Sequence, residues 1–329
     1  MAQSSPIARQ DQGPIVTVFG GSGFVGRHLV RALVKGGWRV RVAVRRPDLA
    51  GHVQPLGMPG QIYPVQANLR YPDSIAHALK GADAAVNLVG ILHETGRQRF
   101  GSVQARGAEA VARAVAAEGI AKFVHMSALG ADAASPSQYA QSKAYGEAAV
   151  RQHCPAAGIV RPSVVFGPED DFFNRFAGLA RLLPVLPLIS GETKFQPVYV
   201  ADVAAAIASL LDGKGRPGAV FELGGPRIMT MREIFSYVLE VTGRKRPLIP
   251  VPAALAEFQG ALLGLLPKPM LTRDQVLLLK FDNVVSKAAV AEHRVLQSLG
   301  ITPTAVESVV PGYLWRFRKS GQFERSSEA

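Results

Sequence analysis

The stretch IVTVFGGSGFVG (residues 15–26) decides how the rest of the chain reads. Its first five residues are apolar or β-branched, the composition of a short buried strand. The turn Gly20-Gly21-Ser22-Gly23-Phe24-Val25-Gly26 follows, with glycines in G-x-x-G-x-x-G spacing. Apolar residues then recur at helical spacing, at Val25, Leu29, Leu33 and Val34, as far as Gly36-Gly37, which predicts a helix closed by glycine. A glycine turn between a strand and a helix lets backbone approach a pyrophosphate and aims the first amides of the helix at its charge. Glycines also serve turns for conformation alone. Here the flanking strand and helix favour the dinucleotide reading.

The alternation continues downstream. RVRVAV (39–44), AAVNLVG (84–90), KFVHMSA (122–128) and GIVRPSVVFG (158–167) read as strands, and QIYPVQA (61–67) as a weaker one broken by Pro64. Segments 103–118 and 138–152 carry helical patterns. Strands alternating with helices imply βαβ units, so the expected fold is α/β: a Rossmann-type, doubly wound parallel sheet. Beyond residue 168 the alternation loosens and prolines crowd in, from Pro184 to Pro269. The expected organisation is a loose tail over 1–14, an NAD(P)-binding domain over 15–167 and a smaller mixed C-terminal lobe over 168–318. Strands near 195–200 and 219–223 are expected to return towards the main sheet, and 319–329 reads as a second tail.

Of the 329 residues, 48% are hydrophobic and 19% charged, which suits a globular core and excludes a disordered chain. The formal net charge of +12 is compatible with nucleic acid, an anionic lipid surface or an acidic protein partner. The sequence has no zinc-finger spacing, no aromatic–basic RNA signature and no basic recognition helix, so nucleic acid is set aside. Cys154 is the single cysteine, so no intrachain disulfide is expected. His93-Glu94 lacks a second histidine at helical spacing, and no metal site is expected. The first fourteen residues read as neither a secretory signal nor a transit peptide. No apolar run approaches the ~20 residues of a membrane helix, which suggests a soluble or membrane-peripheral chain.

Two features refine the ligand and the chemistry. Enzymes that use NAD commonly place an acid at the end of the second strand, on the ribose 2′-hydroxyl. This chain has no Asp or Glu between Gly26 and Asp48 and carries Arg45 and Arg46 instead, which suits a 2′-phosphate and hence NADP(H). The alternative is that both arginines are simply solvated. Tyr139 and Lys143 stand one turn apart on one helix, downstream of Ser127 at a strand end. A nearby ammonium favours a phenolate, so the lysine is expected to lower the tyrosine pKa. Such a set performs acid–base catalysis in one reading and only grips a cofactor in the other.

Together these pieces resemble the extended and atypical short-chain dehydrogenase/reductase (SDR) superfamily, through GGSGFVG (20–26), NLVG (87–90), Ser127, Tyr139/Lys143, RPSVVFGP (161–168) and QPVYVADVA (196–204). More narrowly, residues 84–100, KFVHMSALGAD (122–132), PEDDFFNRFA (168–177) and LTRDQVLLLKFDNVV (271–285) resemble the nucleotide-binding accessory subunit of respiratory complex I, of the alpha-subcomplex subunit 9 type. The resemblance covers roughly residues 15–315. It implies a structural NADPH and a place on the peripheral arm near the membrane, among other complex I subunits. The face is the cytoplasmic one of a bacterial inner membrane or the matrix face of a mitochondrial one. It also implies that Gly20, Gly21, Ser22, Gly23, Phe24 and Val25 lie at the pyrophosphate, Arg45 and Arg46 at the 2′-phosphate, and Asn68 and Leu69 at adenine. Leu88, Val89 and Gly90 would border the ribose. Ser127, Tyr139 and Lys143 would surround the nicotinamide ribose, with Pro162, Ser163 and Val164 at the carboxamide. Asn68 departs from the family, where many relatives carry Asp. The competing reading is a free NADP-dependent oxidoreductase or epimerase using Ser127, Tyr139 and Lys143.

Two stretches stand apart. AALAEFQGALLGLL (253–266) is too short to span a bilayer, and reads either as a helix packed in the lobe or as one lying in a membrane interface. Tyr313, Trp315 and Phe317 alternate with Arg316, Arg318 and Lys319, either to dock an acidic or membrane partner or as an ordinary terminal element.

Overall fold

The computed structural model describes residues 13–252, 254, 255, 257 and 271–319. Most of 253–266 and most of both tails lie outside these. The first half runs β1 (Ile15–Phe19), α1 (Phe24–Lys35), β2 (Arg39–Val44), β3 (Ile62–Gln66), α2 (Pro72–Leu79), β4 (Ala84–Asn87), α3 (Arg106–Ala117), β5 (Lys122–Met126), α4 (Gln138–His153) and β6 (Gly158–Pro162). The second half runs β7 (Val165–Phe166), α5 (Phe173–Leu182), β8 (Leu186–Ile189), β9 (Lys194–Phe195), β10 (Val198–Tyr199) and α6 (Val200–Leu211). It continues through β11 (Val220–Leu223), β12 (Met229–Thr230), α7 (Met231–Val241) and β13 (Leu248–Val251).

Seven strands form one sheet in the order β11-β6-β5-β4-β1-β2-β3, every pair parallel. The order reverses beside β1, so the loops after β1 and β4 open a crevice at the carboxyl edge. Apolar side chains cover both faces. On one, Leu29 and Leu33 of α1 pack with Val203 and Ile207 of α6. On the other, Ile75, Leu79, Val111, Val115 and Val150 of α2, α3 and α4 pack with Phe19 and Ile159. Pro64 is tolerated because β3 is an edge strand, which pairs only with β2.

A third core lies outside the sheet, where Phe166, Phe173, Leu186, Leu188, Ile234, Val238, Val310 and Leu314 are buried together. The stretch 195–200 does not reach the main sheet. It breaks at Pro197 into β9, antiparallel to β12, and β10, parallel to β7, and Val200 already begins α6. Only β11 returns, beside β6. The helix expected over 103–118 starts as a wide π-type turn, Gly101–Ala105, before α3. The terminal aromatics are packed in part: Tyr313 is buried and its hydroxyl donates to Asp170 Oδ2 at 2.5 Å, Arg181 and Arg316 lie over the Phe317 ring, and Trp315 is exposed.

Candidate functional site

The turn after β1 is built from backbone alone. Gly20 sits at φ +80°, a conformation side chains disfavour, and its N–H donates to Ala43 O at 3.0 Å, which ties the turn to β2. Gly23 N–H folds back onto Gly20 O at 3.1 Å and caps α1. The first amides of α1 therefore have no carbonyl of their own helix and face the crevice. Gly26 packs against the turn itself: an added Cβ would lie 2.6 Å from Gly21 Cα.

A cleft of about 1610 Å³ runs along the carboxyl edge of the sheet. Every candidate named from the sequence lines it except Gly21, whose open side faces Val18 and Val42 inside the sheet. Strand order fixes the sense of the cleft. Arg45, Arg46, Asn68 and Leu69 follow β2 and β3 at one end; Ser127, Pro162, Ser163 and Val164 follow β5 and β6 at the other. Arg46 is held by Asp48 through a two-pronged pair at 2.7 and 3.0 Å. The Asn68 Oδ1 accepts Arg70 N–H at 3.2 Å, which fixes its amide at this end of the cleft.

At the far end Ser127, Tyr139 and Lys143 come together. Lys143 Nζ donates to Met126 O at 3.2 Å and lies 5.9 Å from the Tyr139 ring. Burial lowers the Lys143 pKa to about 8, against the pull of Glu147. The expected depression of the Tyr139 pKa does not occur. Burial, with Asp274 adding to it, pushes this phenol up to about 12. Both causes disfavour the phenolate: burial strips it of water and the Asp274 carboxylate repels its charge. Tyr139 therefore holds its proton at neutral pH. Ser127 Oγ is buried without a hydrogen-bond partner. An orphaned hydroxyl lining a cleft fits a ligand oxygen. Beneath them His125 is buried and neutral, its pKa lowered to about 3 by burial and by Lys143.

Residues 16–224 match the NAD dependent epimerase/dehydratase family. A curated relative from Arabidopsis thaliana, the mitochondrial "NADH dehydrogenase [ubiquinone] 1 alpha subcomplex subunit 9", is 35% identical over 94% of this chain and 79% of its own. The chain belongs to the NAD dependent epimerase/dehydratase family and to its subunit 9 group. A "Ceramide reductase" from Caulobacter vibrioides is also 35% identical, over 77% of this chain and 78% of its own. Among solved structures, the NADPH-dependent quinone oxidoreductase of Escherichia coli, complexed with NADPH, superposes with a TM-score of 0.71 at 20% identity. That match covers 90% of this chain and 98% of the other. The likeness carries the fold alone.

The segment that marks the subunit 9 resemblance, residues 271–285, has a physical task in this family member. Thr272 and Gln275 cap a short helix, Arg273–Leu278, and Asp274 on it reaches the start of α4. Its carboxylate accepts Ser137 Oγ at 2.8 Å, Gln138 N–H at 2.7 Å and Tyr139 N–H at 3.2 Å. The negative charge complements the helix N-terminus, and the bond to Tyr139 sets the turn that carries the phenol. Further on, Asn283 Oδ1 accepts Ser163 Oγ at 2.7 Å, and Asp282 accepts Lys194 N–H at 2.9 Å. The capping pattern T-x-x-Q was readable; that it docks on a helix about 135 residues away was not. Asp274→Ala is expected to cost about 1–2 kcal/mol, the loss of a charged cap, in denaturant unfolding, and to weaken nucleotide binding several-fold. Unfolding and nucleotide titrations that match the unaltered protein would show that the strap does not position α4.

Proposed function

We propose that this chain is an NADP(H)-holding accessory subunit of respiratory complex I, in which the nucleotide stabilises the subunit and is not turned over. The subunit 9 relatives carry this reading, since the similarity extends over nearly the whole chain and includes the strap outside the general family motifs. Its neighbours are other complex I subunits of the peripheral arm, on the cytoplasmic face of a bacterial inner membrane or the matrix face of a mitochondrial one. No helix among the described residues is long and apolar enough to cross a membrane, and the +12 charge favours an anionic lipid surface nearby. Gentle solubilisation and native purification from membranes tests the reading. NADPH and complex I subunits are expected in the same fraction; a protein that fractionates alone refutes it.

Two observations favour a second reading. Ser127, Tyr139 and Lys143 stand intact in the cleft, and a relative is named a reductase. As a free NADP-dependent oxidoreductase or epimerase of the extended SDR type, Ser127 would orient a carbonyl. Tyr139, held protonated by burial, would supply the proton, with hydride chemistry belonging to the nucleotide. NADPH consumption by a carbonyl panel, abolished in Tyr139→Phe, is the expected signature. NADPH left unoxidised across the panel excludes the oxidoreductase form of this reading, and an epimerase, which returns its hydride each turnover, is excluded when no nucleotide sugar is interconverted.

A further inference from the structure

The cleft extends past the loops of the main sheet into the second half of the chain. At about 1610 Å³ it exceeds the roughly 300–1,000 Å³ of a single small-molecule pocket. Beyond Ser127 and Tyr139 its wall comes from the second half of the chain: Phe176 and Leu179 of α5, Leu183, Phe195, Phe235 of α7 and Leu278 of the strap. A nucleotide sugar would need cations for its diphosphate. Arg175 is the one guanidinium described on this wall, and Asp171 lies 3.6 Å from it. The polar groups here are matched to one another: Ser163 to Asn283, Asp282 to Lys194 N–H, and Gln275 Oε1 to Thr272 N–H. Among the described lining residues, Ser127 Oγ alone is buried with no partner, and it sits at the inner end of this wall. At the outer end Leu183 and Phe281 line the cleft while 36% and 55% exposed, so apolar surface leads from solvent to Ser127.

We propose that this apolar arm binds one long aliphatic chain, that of a single-chain lipid whose inner end carries a carbonyl or hydroxyl group bonded by Ser127. The proposal rests on the nucleotide-binding reading, because the dinucleotide fills the other half of the cleft. A straight chain is favoured by the mismatch between a wall of aromatic and branched side chains and any ligand with charge along its length.

The test titrates the full chain, saturated with NADPH, with straight-chain methyl ketones of increasing length, followed by calorimetry; UDP-glucose is titrated in parallel. Each added pair of methylenes is expected to tighten binding roughly tenfold until the arm is full. Leu179→Gln, inside the arm, and Leu183→Glu, at the exposed mouth where folding is least affected, are each expected to weaken the longest ketone more than about tenfold. NADPH affinity, read by nicotinamide fluorescence, should stay unchanged in both. Affinity independent of chain length, or UDP-glucose bound more tightly than any ketone, overturns the proposal. NADPH binding without ketone binding rejects the arm and keeps the nucleotide site. Chain-length-dependent ketone binding without NADPH binding keeps the arm and rejects the nucleotide site.

Discussion

Gly26→Val is expected to reduce NADPH affinity at least a hundredfold, about 2.7 kcal/mol, and to lower the melting midpoint. The reason is local and geometric. A Cβ at residue 26 would stand 2.6 Å from both Cα and the carbonyl carbon of Gly21, and would also crowd Gly20 O. These are backbone atoms of the glycine turn, so no side-chain rotation relieves the clash. The turn cannot retreat cheaply, because Gly20 holds φ +80° and its N–H is fixed to Ala43 O. Gly23→Ala is the control: its Cβ meets only Gly20 O, at 3.3 Å, and should cost several-fold at most. Gly101→Ala, with open space around it, should be silent. Circular dichroism separates lost fold from lost binding. A folded Gly26→Val protein that binds NADPH within about threefold of the original would remove this turn from the pyrophosphate site.

The contrast among these glycines shows what was legible in the sequence. Strand, turn and helix followed from residues 15–35 because period and glycine spacing are local properties. The sheet followed too, since alternating elements admit few topologies. That Gly26 faces the backbone of the turn itself is a contact its spacing alone does not show. The stretch 195–200 was expected to return towards the main sheet and does not, because a two-residue pairing leaves almost no periodic trace and Pro197 interrupts it. The helices α6 and α7 follow strands so closely that their apolar runs merge with them in the sequence.

The site divides in the same way. Ser127, Tyr139 and Lys143 were identifiable from spacing and position, but not their protonation. A nearby lysine was expected to lower the phenol's pKa, yet burial and the charge of Asp274 raise it to about 12, and both come from residues distant in sequence, Phe100 against the ring and Asp274 beside it. Likewise the far wall of the cleft comes from α5, α7 and the strap, which no local pattern assembles.

Arg45→Ala is expected to lower NADPH affinity about thirty- to a hundredfold while changing NADH affinity no more than about twofold, the loss of charge-assisted bonds to one phosphate. Arg45 and Arg46 look equivalent in sequence and are not equivalent in structure. Asp48 grips Arg46 at 2.7 Å, which neutralises much of its field and holds its fork away from a second anion. Arg45, the first residue after β2, lines the cleft and has no ion-pair partner among the described residues. A 2′-phosphate projecting from the ribose at this strand end therefore meets Arg45 first. Arg46→Ala should cost much less than Arg45→Ala. Asp48→Ala, by freeing Arg46, should tighten NADPH rather than weaken it. Both arginines are exposed, so added salt should weaken NADPH more than NADH in the unaltered protein and equally in Arg45→Ala. Competitive titrations of both nucleotides on the four proteins decide the matter. If Arg45→Ala weakens NADPH and NADH alike, the arginine acts on the shared part of the dinucleotide and the preference for the 2′-phosphate fails.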